Sequence, residues 1–169
     1  MSGLLTPQLF PVNGFLAIAS IAGENAQAVQ TRLQVAIDEL AATPPIQNEA
    51  WAIDAAGIAA AGAGGRWLAW FHVVSVDPQN IPEDVILSSI AVAICVEGDG
   101  SNDSKVPEDM TITNSGEGHL GRELQEAINA FAGANPTLTV DLRLVEMAGC
   151  NTGHRFVALA LVSAELVIP

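Results

Sequence analysis

The chain has 169 residues, half of them apolar and only 15% charged, with a net charge of −13 and a single lysine, Lys105. That length supports one domain with a proper core, and the acidity excludes nucleic-acid phosphates and anionic membranes as partners by repulsion. Against the usual ~25% of charged residues, the charge is too sparse to cover a monomer, which points to surface buried in an oligomer.

Residues 1–13 read as an extended N-terminal arm. Pro7 and Pro11 oppose helix, while Leu4, Leu5, Leu9 and Phe10 are too apolar for a free tail. The arm either folds back on its own core or reaches a neighbouring subunit or partner, and the second is the expectation tested by deleting it.

A single domain is expected over 14–169, made of two repeats, 14–80 and 84–169. The first begins with a strand over Phe15–Ile21, bounded by Gly14 and Gly23. Asn25 then offers an N-cap, and Ala26, Val29, Leu33, Ala36, Ile37 and Leu40 form one apolar helical stripe that Thr43-Pro44-Pro45 stops. A strand of small residues follows over Glu49–Ala60, then a glycine-rich turn, then a strong strand over Trp67–Val76.

The second repeat has the same order. Val85–Val96 reads as one long apolar strand, and an acidic loop is placed at 97–116. That loop is about twenty residues long, a length that often marks a functional segment. Ser115 can cap a helix whose stripe is Leu120, Leu124, Ala127, Ile128 and Phe131. Asn135-Pro136 ends it, and strands over Thr137–Met147 and Arg155–Ile168 close the chain.

The halves also match residue by residue. Leu33-Gln34 returns as Leu124-Gln125, Pro45 as Pro136, Ala56-Gly57 as Ala148-Gly149, and the Gly65–Ala69 segment as His154–Ala158. The expected fold is therefore α+β, a tandem duplication of a βαββ unit, with helices on one face of an antiparallel sheet. The strands over Trp67–Val74 and Val157–Val162 are apolar on both faces, so both faces should be buried. Helices cover one face; the other should meet the duplicate half or another subunit, with Trp67 and Trp70 among the interface residues.

No constellation points to catalysis. His72, His119 and His154 lack zinc spacing, and Cys95 and Cys150 read as buried, reduced thiols. The Glu97–Ser104 run has oxygen ligands suited to a hard cation, but it breaks the EF-hand register and reads as a solvated acidic loop. No nucleophile–base pair or phosphate loop is present in the pattern, so no enzyme and no resident metal are expected.

The segments Ile21-Ala22-Gly23, Trp51, Gly57-Ile58 and Gly65-Arg66, with the helix between the first two, resemble dodecin. Dodecins are small βαββ flavin-binding proteins that form hollow multi-subunit shells. The resemblance implies a flavin stacked on Trp51, with His72 where those proteins place a glutamine. In the second repeat the position matching Trp51 falls near Leu142, and tandem fusion is not the usual dodecin form.

Together these readings predict a non-enzymatic assembly protein, a homo-oligomer of trimer size or larger. Its most concrete form is a cement or decoration protein partnered with a virion (phage capsid) shell protein. The alternative is a dodecin-like flavin-binding or storage protein. Cytoplasm or virion is the expected location, because no basic n-region opens the sequence and the apolar run at 85–96 is too short to cross a bilayer.

Overall fold

The computed structural model describes residues 13–19, 25–45, 47–60, 67–98, 116–150 and 155–167. Leu4, Leu5, Leu9 and Phe10 of the arm lie outside them, as do Ser115, His154 and the acidic loop beyond Gly98.

The elements in chain order are β1 (Asn13–Ala19), α1 (Ala26–Ala42), β2 (Ala50–Ala60), β3 (Trp67–Val76), β4 (Ile86–Leu87), β5 (Ala91–Gly98), α2 (Gly116–Ala134), β6 (Leu138–Cys150) and β7 (Arg155–Leu166). The fold is α+β, with two antiparallel sheets and two helices. Sheet A has the order β1-β3-β2-β4 and sheet B the order β5-β7-β6. The single sheet expected from the sequence is therefore corrected to two.

The break falls inside the apolar run at 85–96. Ile86 and Leu87 pair with β2 in sheet A, whereas Ala91 onward pairs with β7 in sheet B. Between them the chain turns, with the Ile90 N–H donating to the Leu87 carbonyl at 3.1 Å. One strand cannot serve two differently oriented sheets without such a turn, and buried Ser88 tolerates it because its N–H donates to the Trp51 carbonyl at 2.9 Å.

Helix α1 starts where its cap chemistry dictates. The Asn25 side chain accepts from the Ala28 N–H at 3.1 Å, and the chain leaves the helix at Thr43. The apolar stripe predicted for α1 is buried at all six positions. In α2, Leu120, Leu124 and Ile128 are buried.

The two hairpins share one register. Phe71 faces Ala56 and Ala160 faces Val145, a shift of 89 residues on both strands. The shift continues through a β-bulge, which falls at Asp54 in β2 and at Arg143 in β6. It makes Val140, not Leu142, the counterpart of Trp51. It also separates the two glycines matched by sequence. Gly57 faces Trp70 and Gly149 faces Phe156, three residues apart in this register. A Cβ on Gly57 would lie 2.6 Å from the Trp70 indole, and one on Gly149 would lie 2.9 Å from the Phe156 ring. Each glycine makes room for an aromatic ring across its hairpin.

Two cores result. The larger joins α1, one face of sheet A and one face of sheet B. Trp51, Ile53, Trp67, Phe71 and Val73 supply the sheet A side, and Val157, Leu159 and Leu161 supply the sheet B side. The smaller core lies on the opposite face of sheet B, where Ala158, Ala160, Val162 and Ile94 meet α2. Strand β7 is thus buried on both faces, as its sequence predicts.

Candidate functional site

The alternation of side chains sorts each sheet into a front, which carries its own helix, and a back. The front of sheet A is closed twice over, by α1 and by the back of sheet B. The front of sheet B is closed only where α2 lies. On β6 the front-facing Leu142, Val145 and Met147 remain 48%, 38% and 43% exposed. Their counterparts under the 89-residue shift, Ile53, Ala56 and Ile58, are 1%, 5% and 8% exposed. The same positions are core in one half and surface in the other.

The backs differ in the opposite sense. On sheet B, Val157, Leu159 and Leu161 are 0–1% exposed. Their counterparts on sheet A, Leu68, Trp70 and His72, are only half-buried. His72 Nδ1 lies 2.7 Å from Asp54 Oδ1, with both side chains about one-third exposed. Such a pair contributes little stability on its own.

Trp51 and His72 do not frame one site. Trp51 is 3% exposed and packed in the larger core, while His72 projects from the back of the same sheet. The Trp51 ring offers no open face for a flavin to stack on. Trp67, expected at an interface, is completely buried within the chain's own core, so only Trp70 of that pair lies on a half-buried outer surface.

A cleft of about 720 Å³ opens between α1 and α2. Its floor is Val92, Ile94 and Val96 of β5, and its walls are Gln27, Thr31 and Val35 of α1 and Ala127, Ala130 and Phe131 of α2. The volume falls in the range of small-molecule pockets. Its polar groups are the carboxamides of Gln27, Gln30 and Gln34, the Thr31 hydroxyl and the Asp38 carboxylate.

Along one side of this cleft, α1 seals the edge of sheet B. Gln34 Oε1 accepts from the Ala93 N–H at 2.9 Å, and Gln34 Nε2 donates to the Ala91 carbonyl at 3.3 Å. Gln30 Oε1 accepts from the Cys95 N–H at 2.8 Å. The Glu97 carboxylate accepts from the Ala26 N–H at 3.1 Å, where an anion is favoured at a helix N-terminus. Glu97 therefore belongs to β5 and this helix contact. The sequence carries a signal for the seal in Gln30 and Gln34, two amides four residues apart beside the apolar stripe, but nothing in it names the strand they reach.

Cys95 beneath this seal is buried, and burial pushes its thiol from the usual 9.0 up to about 12. It is a protonated, inert core group at neutral pH. Among the described residues, no three His, Cys, Asp or Glu side chains gather as a metal site, and no helix is long and apolar enough to cross a membrane.

Comparison with models of protein families, with curated proteins and with solved structures finds no match.

Proposed function

We propose that this chain is a non-enzymatic structural protein that works as a homo-oligomer, trimer or larger. The observation that carries the reading is the exposed apolar row Leu142, Val145 and Met147 on β6, at positions that are core in the other half. Exposed apolar surface on a chain with so little charge is characteristic of an association surface. A cement or decoration protein on a virion shell is the most concrete form of this proposal, and a capsid shell protein is then its second partner.

The proposal includes a tandem duplication of one βαββ unit. The register shift of 89 shared by the two hairpins, the bulges at Asp54 and Arg143, and the buried pairs Leu33/Leu124 and Ile37/Ile128 all support it. A duplicated unit places two similar but unequally covered surfaces in one chain.

Sedimentation of the purified chain at micromolar concentration tests the reading. The expected species is a stable oligomer several times 17.5 kDa. A well-behaved monomer across that range contradicts it. Visible flavin absorbance in the purified protein would instead favour the dodecin-like alternative.

A further inference from the structure

We infer that the chain associates head to tail with a second copy of itself, the front of sheet B docking on the back of sheet A in the next copy. The inference rests on the assembly reading above and names the contact. It starts from an interface already built inside the chain. There, the front of the first half (α1 with Ile53, Ala56 and Ile58) meets the back of the second half (Val157, Leu159 and Leu161). The second half presents the equivalent front, α2 with Leu142, Val145 and Met147; α2 reaches β6 only in part, at Val140 and beside Met147, and the three side chains stay exposed among the described residues. The first half presents the equivalent back, half-buried at Leu68, Trp70 and His72. Each open surface is the counterpart of one member of the internal contact, so a second copy supplies what each lacks.

The hydrogen-bonding groups repeat the same relation. Inside the chain, Gln34 of α1 grips Ala91 and Ala93 at the outer edge of β5. Its counterpart in α2 is Gln125, which is exposed. The Gln125 amide donates to Asn129 Oδ1 at 3.0 Å, just as Gln34 donates to Asp38 Oδ1 at 2.9 Å. The strand that corresponds to β5 is β1, the end strand of sheet A, and among the described residues no strand pairs with its outer edge.

The phase of that edge is fixed by the ladder. The Trp51 carbonyl accepts from Ser88, so it points away from β3, and the opposite residue Ser75 turns its backbone toward β1. Alternation then sends the backbone groups of Val73 and Phe71 to β1 as well. The residues opposite His72 and Val74, namely Phe15 and Asn13, are left with their N–H and C=O groups on the outer edge. These are the counterparts of Ala93 and Ala91, which face Leu161 and Ser163. An unpaired edge is a template for association, and Gln125 of a neighbour carries the side chain that grips the corresponding edge within the chain. Position 121, the counterpart of Gln30, is a glycine, so the intermolecular grip has one amide fewer.

A contact between two different faces propagates from copy to copy and stops only by closing a ring. That gives a test an ordinary dimer fails. Leu142→Asp spoils the front of the second half but leaves the back of the first intact; Leu68→Asp does the reverse. Each variant alone should sediment as a folded monomer, with self-association weakened about a hundredfold or more. Their equimolar mixture should form a one-to-one heterodimer, because one good front meets one good back. Gln125→Ala, at an exposed position, should weaken wild-type association about tenfold without changing the melting curve of the dissociated chain. Variants that keep the wild-type oligomer, or a mixture that stays monomeric while both variants are folded by near-UV circular dichroism, overturn the contact. If either aspartate unfolds the chain, the Gln125→Ala dissociation constant alone decides, and an unchanged value rejects the inference. A monomeric wild type overturns this contact and the assembly reading together. A wild-type oligomer indifferent to all three substitutions overturns the contact alone.

Discussion

Strands β2 and β6 are the same kind of strand in different surroundings. Both are bulged part-way along the hairpin, after the fourth pair in β2 and after the fifth in β6, both face an antiparallel partner, and both carry an apolar row on the front. In β2 that row is Ile53, Ala56 and Ile58, and sheet B lies over it. In β6 it is Leu142, Val145 and Met147, and it faces outward. The row stays fully apolar where the cover is missing, and Val145 is larger than its counterpart Ala56. A strand built only to meet water would carry polar side chains at those positions. The comparison therefore separates apolar residues that hold the chain together from apolar residues available to hold copies together.

The largest effect expected from this comparison is on stability. Ile53→Ala should cost about 2–5 kcal/mol in denaturant unfolding, since it opens a cavity in a closed core. Leu142→Ala, at the matching position, should change the unfolding of the dissociated chain by no more than about 0.5 kcal/mol. Equal losses at the two sites would break the distinction between core and contact.

The paired glycines sharpen it next. Gly57→Ala should destabilise by about 1–3 kcal/mol, because the new Cβ would collide with the Trp70 indole and force the ring outward. Gly149→Ala meets the edge of Phe156 at slightly greater distance and should cost less. Thermal unfolding of both variants measures the order, and a reversed order would show that Phe156 is the more rigidly held ring.

The helix amides give a smaller effect. Gln34→Ala strips the Ala93 N–H and the Ala91 carbonyl of their partners and should cost about 1–3 kcal/mol in the folded chain. Gln125→Ala in the dissociated chain should cost close to nothing, as its amide reaches only a neighbouring exposed side chain.

The smallest effect at neutral pH, where it vanishes, belongs to Cys95. Its thiol is raised from 9.0 to about 12 by burial, so the folded chain holds that proton more tightly than the unfolded chain does. The unfolded chain releases it first, and stability should fall as pH rises from about 9 toward 12, with no contribution below 9. Cys95→Ala should flatten that part of the pH–stability curve measured by urea unfolding. The wild-type thiol should also react slowly with a thiol reagent at pH near 8 in the native state. Fast reaction would mean that the seal by Gln30 and Gln34 opens readily.

Much of the fold was legible in the residues. The spacing of Val29, Leu33 and Ile37, and of Leu120, Leu124 and Ile128, locates both helices, because only a 3.6-residue period puts those side chains on one face. The limits of β3 at Trp67 and Val76 follow from a run rich in aromatic and β-branched residues that begins just after a glycine-rich stretch of sequence. Less was legible where two elements had to choose partners. The run at 85–96 contains enough apolar residues for one strand, and only the positions of two sheets explain why it divides at Ser88–Ile90. The sequence match of Gly57 with Gly149 caught a shared need for space opposite a ring, yet the register sets the two glycines three residues apart. Trp51 and His72 are both aromatic groups on paired strands, but the pleat sends them to opposite faces, and no linear spacing encodes that once a bulge intervenes.

The sequence by itself determined the elements, their order and the apolar faces they carry, since periodicity and caps act through neighbours along the chain. Only the tertiary structure decided which apolar face is core and which is left open. Burial depends on what lies opposite: at matching positions of the two hairpins, sheet B closes over Ile53, while Leu142 stays half exposed among the described residues.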